Sequence, residues 1–317
     1  MEDRTTKFLI VIDGSYFEYT CLFASTRMFI EKYPEDANYW IKPVDECDQN
    51  NLPNILNCDN YKKILKQQVM WKLENIDNIA KDNFQSELNQ ADVIDIIFAM
   101  DDKLSNSFRK DLYPEYKAHR ALVKRQYKIQ PIKDYIIDVI FKELEIETHY
   151  GYHLVKVEGA EGDDVIATSL MKLNDEYCGK MLIASDHDFL QIEGMRQFDI
   201  FGKEAIRDLG GEEVSANDYL IGKILMGDKS DNIKQVFTRC GPKTALKLVK
   251  DKKMLRKMLT EDASSSSRFV LNKKIISFTD IPNELSNKIL ECVNSTLYKN
   301  SITNHHKKID WSQFMTL

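Results

Sequence analysis

The chain alternates short apolar runs, most of which end in an acidic residue, with longer segments of helical periodicity. Four runs have the continuous apolar character of buried strands: KFLIVID (7–13), VIDIIFAMD (93–101), a stretch near 152–157 and KMLIASDHDF (180–189). Between them, apolar residues recur at helical spacing, for example over 65–80 and 132–144. Strands that alternate with helices predict an α/β fold with a mostly parallel central sheet.

The pattern changes after about residue 205, where helical periodicity replaces the strand-like runs. Ser215 and Asp218 occupy capping positions ahead of an apolar helical run. Pro242 stands at the first position of the helix that CGPKTALKLVK predicts. The predicted domains are an α/β domain, 1–205, and a helical domain, 206–317.

Two segments interrupt this order of predicted elements. Residues 31–60 contain three prolines and many Asn and Asp residues, which predicts a loop or an insertion. Residues 254–296 predict further helices, with a break at the four serines of 264–267.

The composition of this 317-residue chain is that of a globular protein, with 43% hydrophobic and 30% charged residues. No apolar run approaches the ~20 residues that a membrane helix needs. The first residues do not resemble a signal peptide, so we expect an intracellular protein without membrane contact. None of the six cysteines forms a CxxC pair, which argues against a zinc site.

The net charge of −6 conceals two basic stretches. Eight basic residues face two acidic ones between Lys103 and Lys128, and seven face one between Lys243 and Lys257, which leaves +6 in each stretch. Basic patches on an acidic chain favour a polyanion that binds at defined places. A solvated helix face is the alternative for Lys124, Arg125, Lys128, Lys243 and Lys247.

Carboxylates collect where the predicted strands end. The carboxyl ends of parallel strands share one edge of a sheet, and the helices that follow begin at the same edge. One acid at a strand end is usually a cap, but recurrence in four clusters favours a common site. The nine candidates are Asp13, Asp101, Glu161, Asp163, Asp164, Asp186, Asp188, Asp228 and Asp231.

Crowded carboxylates repel one another and raise one another's pKa, so such a cluster is stable only when it is solvated or surrounds a cation. Oxygen ligands alone select hard ions such as Mg²⁺ or Mn²⁺, and nine carboxylates are enough for two ions. Two metal ions beside basic patches indicate phosphodiester hydrolysis, in which the ions activate a water molecule and stabilise the leaving oxygen.

Six motifs, in this order, resemble the flap endonuclease family of 5′ nucleases, and most of all its phage 5′→3′ exonucleases, also called phage ribonuclease H. The motifs are VIDGS, FAMDDKLSNSFRKDLYPEYKAHR, VEGAEGDDVIA, ASDHDFLQI, LMGDKSDNI and GPKTALKLV, and they span residues 8 to about 250. The resemblance implies a PIN-like 5′-nuclease fold with a helical arch at about 103–130. It also implies a helix–two-turn–helix module that grips duplex phosphates in the C-terminal helical domain.

The same resemblance implies a role for each candidate residue. The first metal ion would be held mainly by Asp13, Asp101, Glu161, Asp163 and Asp164, and the second mainly by Asp186, Asp188, Asp228 and Asp231. Lys117 and Arg120 would contact the scissile phosphate as catalytic residues. Other contacts to nucleic acid would come from Arg109, Lys124, Arg125, Lys128, Gly241, Lys243, Thr244 and Lys247.

The hairpin of the helix–two-turn–helix module departs from the family pattern. The usual glycine-isoleucine-glycine turn reads Arg239-Cys240-Gly241, and one residue is added between Asn232 and Gly241. Members of the family often bind a monovalent cation such as K⁺ in this hairpin. The departure therefore leaves the K⁺ site an open expectation for this chain.

The resemblance implies a structure-specific 5′ nuclease that uses two Mg²⁺ ions, with Mn²⁺ as a substitute, to remove 5′ flaps, 5′-terminal nucleotides or RNA primers. The implied partners are DNA with a flap or a junction and RNA–DNA hybrids, with a single-strand-binding protein or a sliding clamp as candidate docking partners. We expect a monomer, in the cytoplasm of a bacterial host if the chain is phage-encoded. The alternatives are a PIN-type ribonuclease and a catalytically silent protein that binds DNA junctions.

Overall fold

A computed structural model gives the fold of residues 5–35, 55–102, 107–118, 129–144, 146, 151–173 and 177–301, with only the backbone for 299–301. Most of the predicted loop at 31–60 and the tip of the predicted arch lie outside these described residues. The same holds for four of the predicted site residues, Arg120, Lys124, Arg125 and Lys128. Their predicted contacts therefore stay predictions.

Five parallel strands form the central sheet, and the sequence predicts four of them. In chain order they are β1 (Lys7–Asp13), β2 (Val93–Met100), β3 (Tyr152–Lys156), β4 (Tyr177–Ile183) and β5 (Arg196–Phe198). Their order across the sheet is β3-β2-β1-β4-β5, which places β1 at the centre. The sequence pattern does not predict β5, because three residues are too few to show a periodicity.

Both faces of the sheet are buried, which explains why its strands are apolar without alternation. Phe8, Ile10 and Ile12 of β1 join a hydrophobic core on one face, while Leu9 and Val11 join a second core on the other face. β1 pairs in parallel with both β2 and β4. The middle of the sheet is therefore closed to solvent, and polar chemistry is confined to the ends of the strands.

Helices pack against both faces. They are α1 (Gly14–Lys32), α2 (Asp59–Asn83), α3 (Gln85–Gln90), α4 (Phe108–Leu112), α5 (Gln130–Tyr135), α6 (Phe141–Glu143) and α7 (Gly162–Lys172). The apolar stripe predicted over 65–80 is buried within α2. A π-helical turn, Ile136–Ile140, joins α5 to α6, so the helix predicted over 132–144 forms with one widened turn.

The C-terminal part is mainly helical. After a short hairpin of β6 (Asp208–Leu209) and β7 (Glu212–Glu213), it contains α8 (Ala216–Met226), α9 (Pro242–Lys250), α10 (Lys252–Glu261), α11 (Ala263–Ile276) and α12 (Asn283–Ser301). Helices α8 to α11 share a hydrophobic core of their own. By contrast, Ile289 and Val293 of α12 belong to the core on the second face of the sheet. The last helix of the predicted domain 206–317 thus packs with the α/β part.

The predicted helix starts at Ser215 and Pro242 are confirmed. Ser215 is the N-cap of α8, and its hydroxyl oxygen accepts a hydrogen bond from the Asp218 N–H at 3.1 Å. Pro242 is the first residue of α9. Within the described ranges, no helix is long and apolar enough to cross a membrane.

Two expectations about local structure are wrong. The serines at 264–267 do not interrupt the helices, because they form the first turns of α11. The Asp262 side chain caps that helix by accepting a hydrogen bond from the Ser264 N–H at 2.9 Å. The predicted loop at 31–60 is also too wide, since α1 continues to Lys32 and α2 begins at Asp59.

Candidate active site

A cleft of about 410 Å³ lies where the carboxyl ends of β1, β2 and β4 meet. Five separate segments of the chain each contribute one carboxylate to its lining, and a sixth contributes an ammonium group. The carboxylates are those of Asp13, Asp101, Asp163, Asp186 and Asp231, and the ammonium group is that of Lys117. Five of the nine predicted carboxylates thus share one cavity with the predicted catalytic lysine, at the edge of the sheet where the sequence predicts the site.

Asp13 is central in this cleft because β1 is the central strand. It is the N-cap of α1, and its Oδ1 accepts a hydrogen bond from the Tyr16 N–H at 2.9 Å. Burial, with help from the neighbouring carboxylates of Asp101 and Asp186, raises the pKa of Asp13 to about 6. The capping bond accounts for the position of Asp13, but it does not explain why two more carboxylates lie close to it.

Asp101 follows β2 and is held in its charged form. Its Oδ1 accepts a hydrogen bond from the Gly162 N–H at 2.8 Å, and its Oδ2 accepts one from the Ser15 hydroxyl at 2.8 Å. Burial disfavours the charge, but these two hydrogen bonds and the ammonium groups of Lys117 and Lys133 lower the pKa of Asp101 below its ordinary value. The Gly162 bond also ties the start of α7 to the end of β2.

Asp163, in the first turn of α7, has the opposite electrostatic balance. Burial raises its pKa well above the ordinary value, the ammonium group of Lys117 acts against this rise, and the carboxylates of Asp13 and Asp186 add to it. Asp13 and Asp163 therefore retain protons at a pH where an isolated aspartate is ionised. The cleft holds more carboxylates than its own cations neutralise, which favours the binding of an added cation.

Lys117 adopts a backbone conformation that is rare for residues other than glycine, with φ of 54°. Its N–H donates a hydrogen bond to the Asp231 carbonyl oxygen at 3.0 Å. Its Nζ lies 3.2 Å from Glu161 Oε1 and 3.9 Å from Asp231 Oδ2. Such strain persists only where the surroundings fix it, and it occurs often at functional sites. The structure thus places Lys117 in the cleft with its ammonium group among the carboxylates.

Glu161 and Asp164 lie beside a buried guanidinium group and are not among the residues that line the cleft. Arg109 Nη1 is 2.8 Å from Asp164 Oδ1 and 3.1 Å from Glu161 Oε2, and Arg109 Nε donates a hydrogen bond to the Ile275 carbonyl at 2.8 Å. Arg109 is only 3% exposed, which leaves no surface for the predicted contact with nucleic acid. Instead, it joins α4 to α7 and α11.

Asp188 and Asp228 share a lysine that sequence reasoning missed. Lys223 Nζ lies 2.5 Å from Asp188 Oδ1 and 3.3 Å from Asp228 Oδ2. Burial raises the pKa of Asp188 to about 6, with a further rise from Asp186, while Lys223 opposes the rise. The available signal was the position of Lys223 in the last turn of α8, directly before the acidic loop.

The carboxylates share a cleft without forming a finished metal site. In the part of the chain that the structure describes, no three His, Cys, Asp or Glu side chains are close enough together to hold an ion. Lys117 and Lys223 lie among the acids instead, and each ammonium group contacts two carboxylates. The division of the nine acids between two metal ions therefore stays a prediction.

The predicted duplex contacts on α9 lie on its outer face. Gly241 is the N-cap of the helix, and Lys243, Thr244 and Lys247 are exposed. The apolar residues between them are buried in the core of the helical part. This arrangement leaves the lysines accessible to a polyanion, and the contacts themselves stay predictions.

Comparison with known proteins shows which proteins this chain is similar to. Residues 79–217 match the family described as 5′-3′ exonuclease, N-terminal resolvase-like domain. The chain is similar to a 5′-3′ exonuclease of Buchnera aphidicola, with 29% identity over 56% of this chain and 58% of that protein. It is also similar to Ribonuclease H of Enterobacteria phage T4, with 27% identity over 63% of this chain and 70% of that protein. The resemblance to 5′ nucleases that the motifs indicate is confirmed.

Solved structures confirm the predicted fold. The T5 5′-exonuclease with bound zinc ions has a TM-score of 0.56 at 15% identity, covering 92% of this chain and 99% of that one. The T5 flap endonuclease in a pseudo-enzyme–product complex with DNA and metal ions has a TM-score of 0.55 at 14% identity, with the same coverage. At these identities the likeness concerns the fold, so the activity of this chain is argued from its own residues.

Proposed function

We propose that the chain is a metal-dependent 5′ nuclease that hydrolyses the phosphodiesters of DNA flaps, 5′ ends or RNA primers. The observation that carries the proposal is the cleft at the carboxyl ends of the strands, which combines five carboxylates with Lys117. The similarity to 5′-3′ exonucleases supports the same reaction class. The exposed lysines of α9, Lys243 and Lys247, supply a surface for the phosphates of a DNA duplex.

The donor atoms of the cleft fit divalent metal ions, and we propose Mg²⁺ with Mn²⁺ as a substitute. The acidic residues that line the cleft offer oxygen donors, which hard cations prefer. Burial, with a further contribution from neighbouring carboxylates, raises the pKa of Asp13 and of Asp163, so an added positive charge would stabilise their ionised forms. Asp13, Asp101, Asp163, Asp186 and Asp231 would hold the ions. When bound, such ions supply a water molecule of lowered pKa and neutralise charge on the phosphate.

Lys117 is the proposed donor to the scissile phosphate. Negative charge grows on the phosphate oxygens as water attacks, and a fixed ammonium group stabilises that charge more than it stabilises the ground state. The bond from the Lys117 N–H to the Asp231 carbonyl fixes the backbone, and the Lys117 ammonium group would exchange its contact with Glu161 for one with the phosphate. Arg120, from the same motif, is proposed to act on the same group.

Cleavage of a 5′-flap substrate tests the proposal. With Mg²⁺ present we expect cleavage near the junction of single strand and duplex, and with a chelator we expect none. A PIN-type ribonuclease would instead cleave single-stranded RNA and leave the flap intact. A catalytically silent junction-binding protein would bind the flap in Ca²⁺ but would not cleave it, whichever metal ion is present. Either result would replace the proposed function.

A further inference from the structure

A second pocket, of about 450 Å³, lies beside the connection between α8 and α9. Phe237, Thr238 and Arg239 of the hairpin form part of its wall. This is the hairpin for which K⁺ binding is an open expectation from the sequence. Four basic side chains line the pocket, and among its lining residues, all within the described ranges, there is no carboxylate. The four are Lys229, Lys234, Arg239 and Arg268. This charge is opposite in sign to that of the active-site cleft, and it disfavours a bound cation.

The backbone of the hairpin is already engaged with donors of the protein. A protein binds K⁺ most directly through carbonyl oxygens that replace the hydration shell of the ion. Between residues 234 and 240, six carbonyl oxygens accept hydrogen bonds at 2.8 to 3.3 Å: those of Lys234, Gln235, Val236, Phe237, Arg239 and Cys240. The donors include the side chains of Ser265, Arg268 and Asn272. These bonds use one acceptor position on each of the six oxygens, and together with the four basic side chains of the pocket they disfavour a monovalent cation.

Of the three side chains Ser265, Arg268 and Asn272 that donate to the hairpin carbonyls, Arg268 is the charged one. Its Nη1 donates a hydrogen bond to the Gln235 carbonyl oxygen at 3.1 Å, which fixes a guanidinium group against the hairpin. Arg239 adds an exposed guanidinium group from a residue whose φ of 59° is strained, with its carbonyl held by the Gly241 N–H at 3.0 Å. The protein therefore places permanent positive charge where a bound ion would otherwise supply it.

The pocket is also tied to the active site. Asp231 lines the cleft, while the next residue, Asn232, lines the pocket. Asn232 Nδ2 donates a hydrogen bond to the Glu115 carbonyl at 2.9 Å, and the Tyr113 hydroxyl donates one to the Asn232 carbonyl at 3.2 Å. A ligand in the pocket would thus be positioned relative to the segment that carries Lys117.

We propose that the hairpin pocket binds a backbone phosphate of duplex DNA without a monovalent cation, with Arg239 and Arg268 in place of the ion. This inference rests on the proposed function, because it names how the substrate of that nuclease is held. A phosphate accepts hydrogen bonds from guanidinium groups in a bidentate geometry that Lys cannot reproduce. The four basic side chains suit an anionic phosphate better than a metal ion, and one of them, Lys234, already has an acidic neighbour, with its Nζ 3.8 Å from Glu115 Oε2.

The first test compares monovalent cations at constant ionic strength. The affinity of the wild-type protein for a flap-free duplex is measured in Ca²⁺ with K⁺, Na⁺, Li⁺ or tetramethylammonium as the salt cation. We expect equal dissociation constants to within about twofold, since only counterion release from DNA remains. Binding that is several times tighter in K⁺ than in the other salts would overturn the inference.

The second test removes the charges. Arg239→Ala and Arg268→Gln should each raise the Kd about tenfold, which is the scale of a lost charge-assisted hydrogen bond. Each should also lower the log–log salt slope by about one unit. Lys142→Ala is the matched control, because Lys142 is exposed and lies on α6, and its salt slope should equal that of the wild type.

Arg268→Lys is the control for a loss of folding. Lysine keeps the positive charge but lacks the paired N–H donors of a guanidinium group. It should melt like the wild type and bind DNA less tightly. Unchanged Kd and salt slope in Arg239→Ala and in both Arg268 variants would contradict the inference. A wild-type protein that binds no duplex would contradict the proposed function itself, whereas duplex binding that requires K⁺ would contradict the hairpin inference alone.

Discussion

The active-site cleft and the hairpin pocket carry charges of opposite sign, and they differ in how far these charges are buried. In the cleft, negative groups are pressed together and partly buried, so that the pKa of Asp13 rises to about 6. In the pocket, positive groups such as Arg239 are exposed, and water screens them. An added cation would therefore relieve the repulsion between the carboxylates of the cleft. The basic groups of the pocket are screened by water and remain accessible to an anion.

The same contrast separates ion pairs inside the molecule from those on its surface. Arg109, with Asp164 and Glu161, is removed from water, so its loss would take the guanidinium partner from Asp164 and leave Glu161 with Lys117 alone. Arg27 and Glu31 pair at 2.9 Å on the surface of α1, where both are more than half exposed. The charge of Arg109 is thus part of the folded structure, whereas the Arg27–Glu31 pair remains in contact with water.

The largest expected effect is on stability. Arg109→Ala should lower the free energy of unfolding by about 3–5 kcal/mol, because breaking a buried pair leaves uncompensated charge. Denaturant titration without metal measures it. Arg27→Ala is the control, and its loss should stay within about 1 kcal/mol because its partner is exposed. Equal losses in the two variants would erase the contrast between buried and exposed pairs.

The next effect concerns catalysis. Lys117→Ala should lower the single-turnover rate of flap cleavage by about two to three orders of magnitude, the scale of losing one donor to developing charge. Affinity in Ca²⁺ should change far less, because the other basic residues remain. Lys142→Ala, at an exposed lysine on α6, provides the control and should cleave normally. A Lys117 variant that cleaves at the wild-type rate under saturation would restrict that lysine to binding.

A smaller effect follows from the raised pKa of Asp13. Because the folded pKa, about 6, exceeds the unfolded value of 3.8, the folded state binds more protons between these limits. Metal-free protein should therefore lose stability as pH rises from about 4 to about 6, by at most about 3 kcal/mol from this group. Asp13→Asn should flatten that decline in denaturant titrations with chelator. A decline of equal steepness in the variant would assign it to other groups.

The smallest effect concerns the exposed lysines of α9. The double variant Lys243→Ala with Lys247→Ala should bind all duplex sequences less tightly and flatten the log–log salt dependence by about one unit per lost contact. Lys32→Ala with Lys142→Ala removes the same charge from exposed positions elsewhere and should leave the slope unchanged. Similar slopes in both double variants would make the α9 lysines an ordinary solvated face.

The sequence was sufficient for the sheet and for the position of the site, because both depend on local patterns. Apolar runs that end in acids located β1, β2, β3 and β4, and the rule for parallel sheets then brought Asp13 and Asp101 to one edge. The cap at Asp262 was also readable in principle, since an aspartate precedes the serines of α11.

The partners of the charged groups could not be predicted, because they depend on contacts between distant segments. Arg109 meets the Ile275 carbonyl across 166 positions of sequence, and a basic stretch looks the same whether its arginine is buried or exposed. Lys223 reaches Asp188 only because the end of α8 packs beside the turn after β4. Nothing local distinguishes these cations from the exposed ones that are available to DNA.

The central claim is that the carboxylates of the cleft serve hydrolysis through bound divalent ions rather than substrate binding, and Asp186→Asn tests it most directly. Asp186 lines the cleft, and Asp111, an exposed acid on α4, provides the matched control as Asp111→Asn. Quenched-flow cleavage of a saturated 5′-flap substrate in Mg²⁺ gives the rate, and Ca²⁺ titration gives the affinity. The account predicts that Asp186→Asn loses cleavage while keeping near-normal affinity, and that Asp111→Asn keeps both. Near-normal cleavage by Asp186→Asn would contradict it.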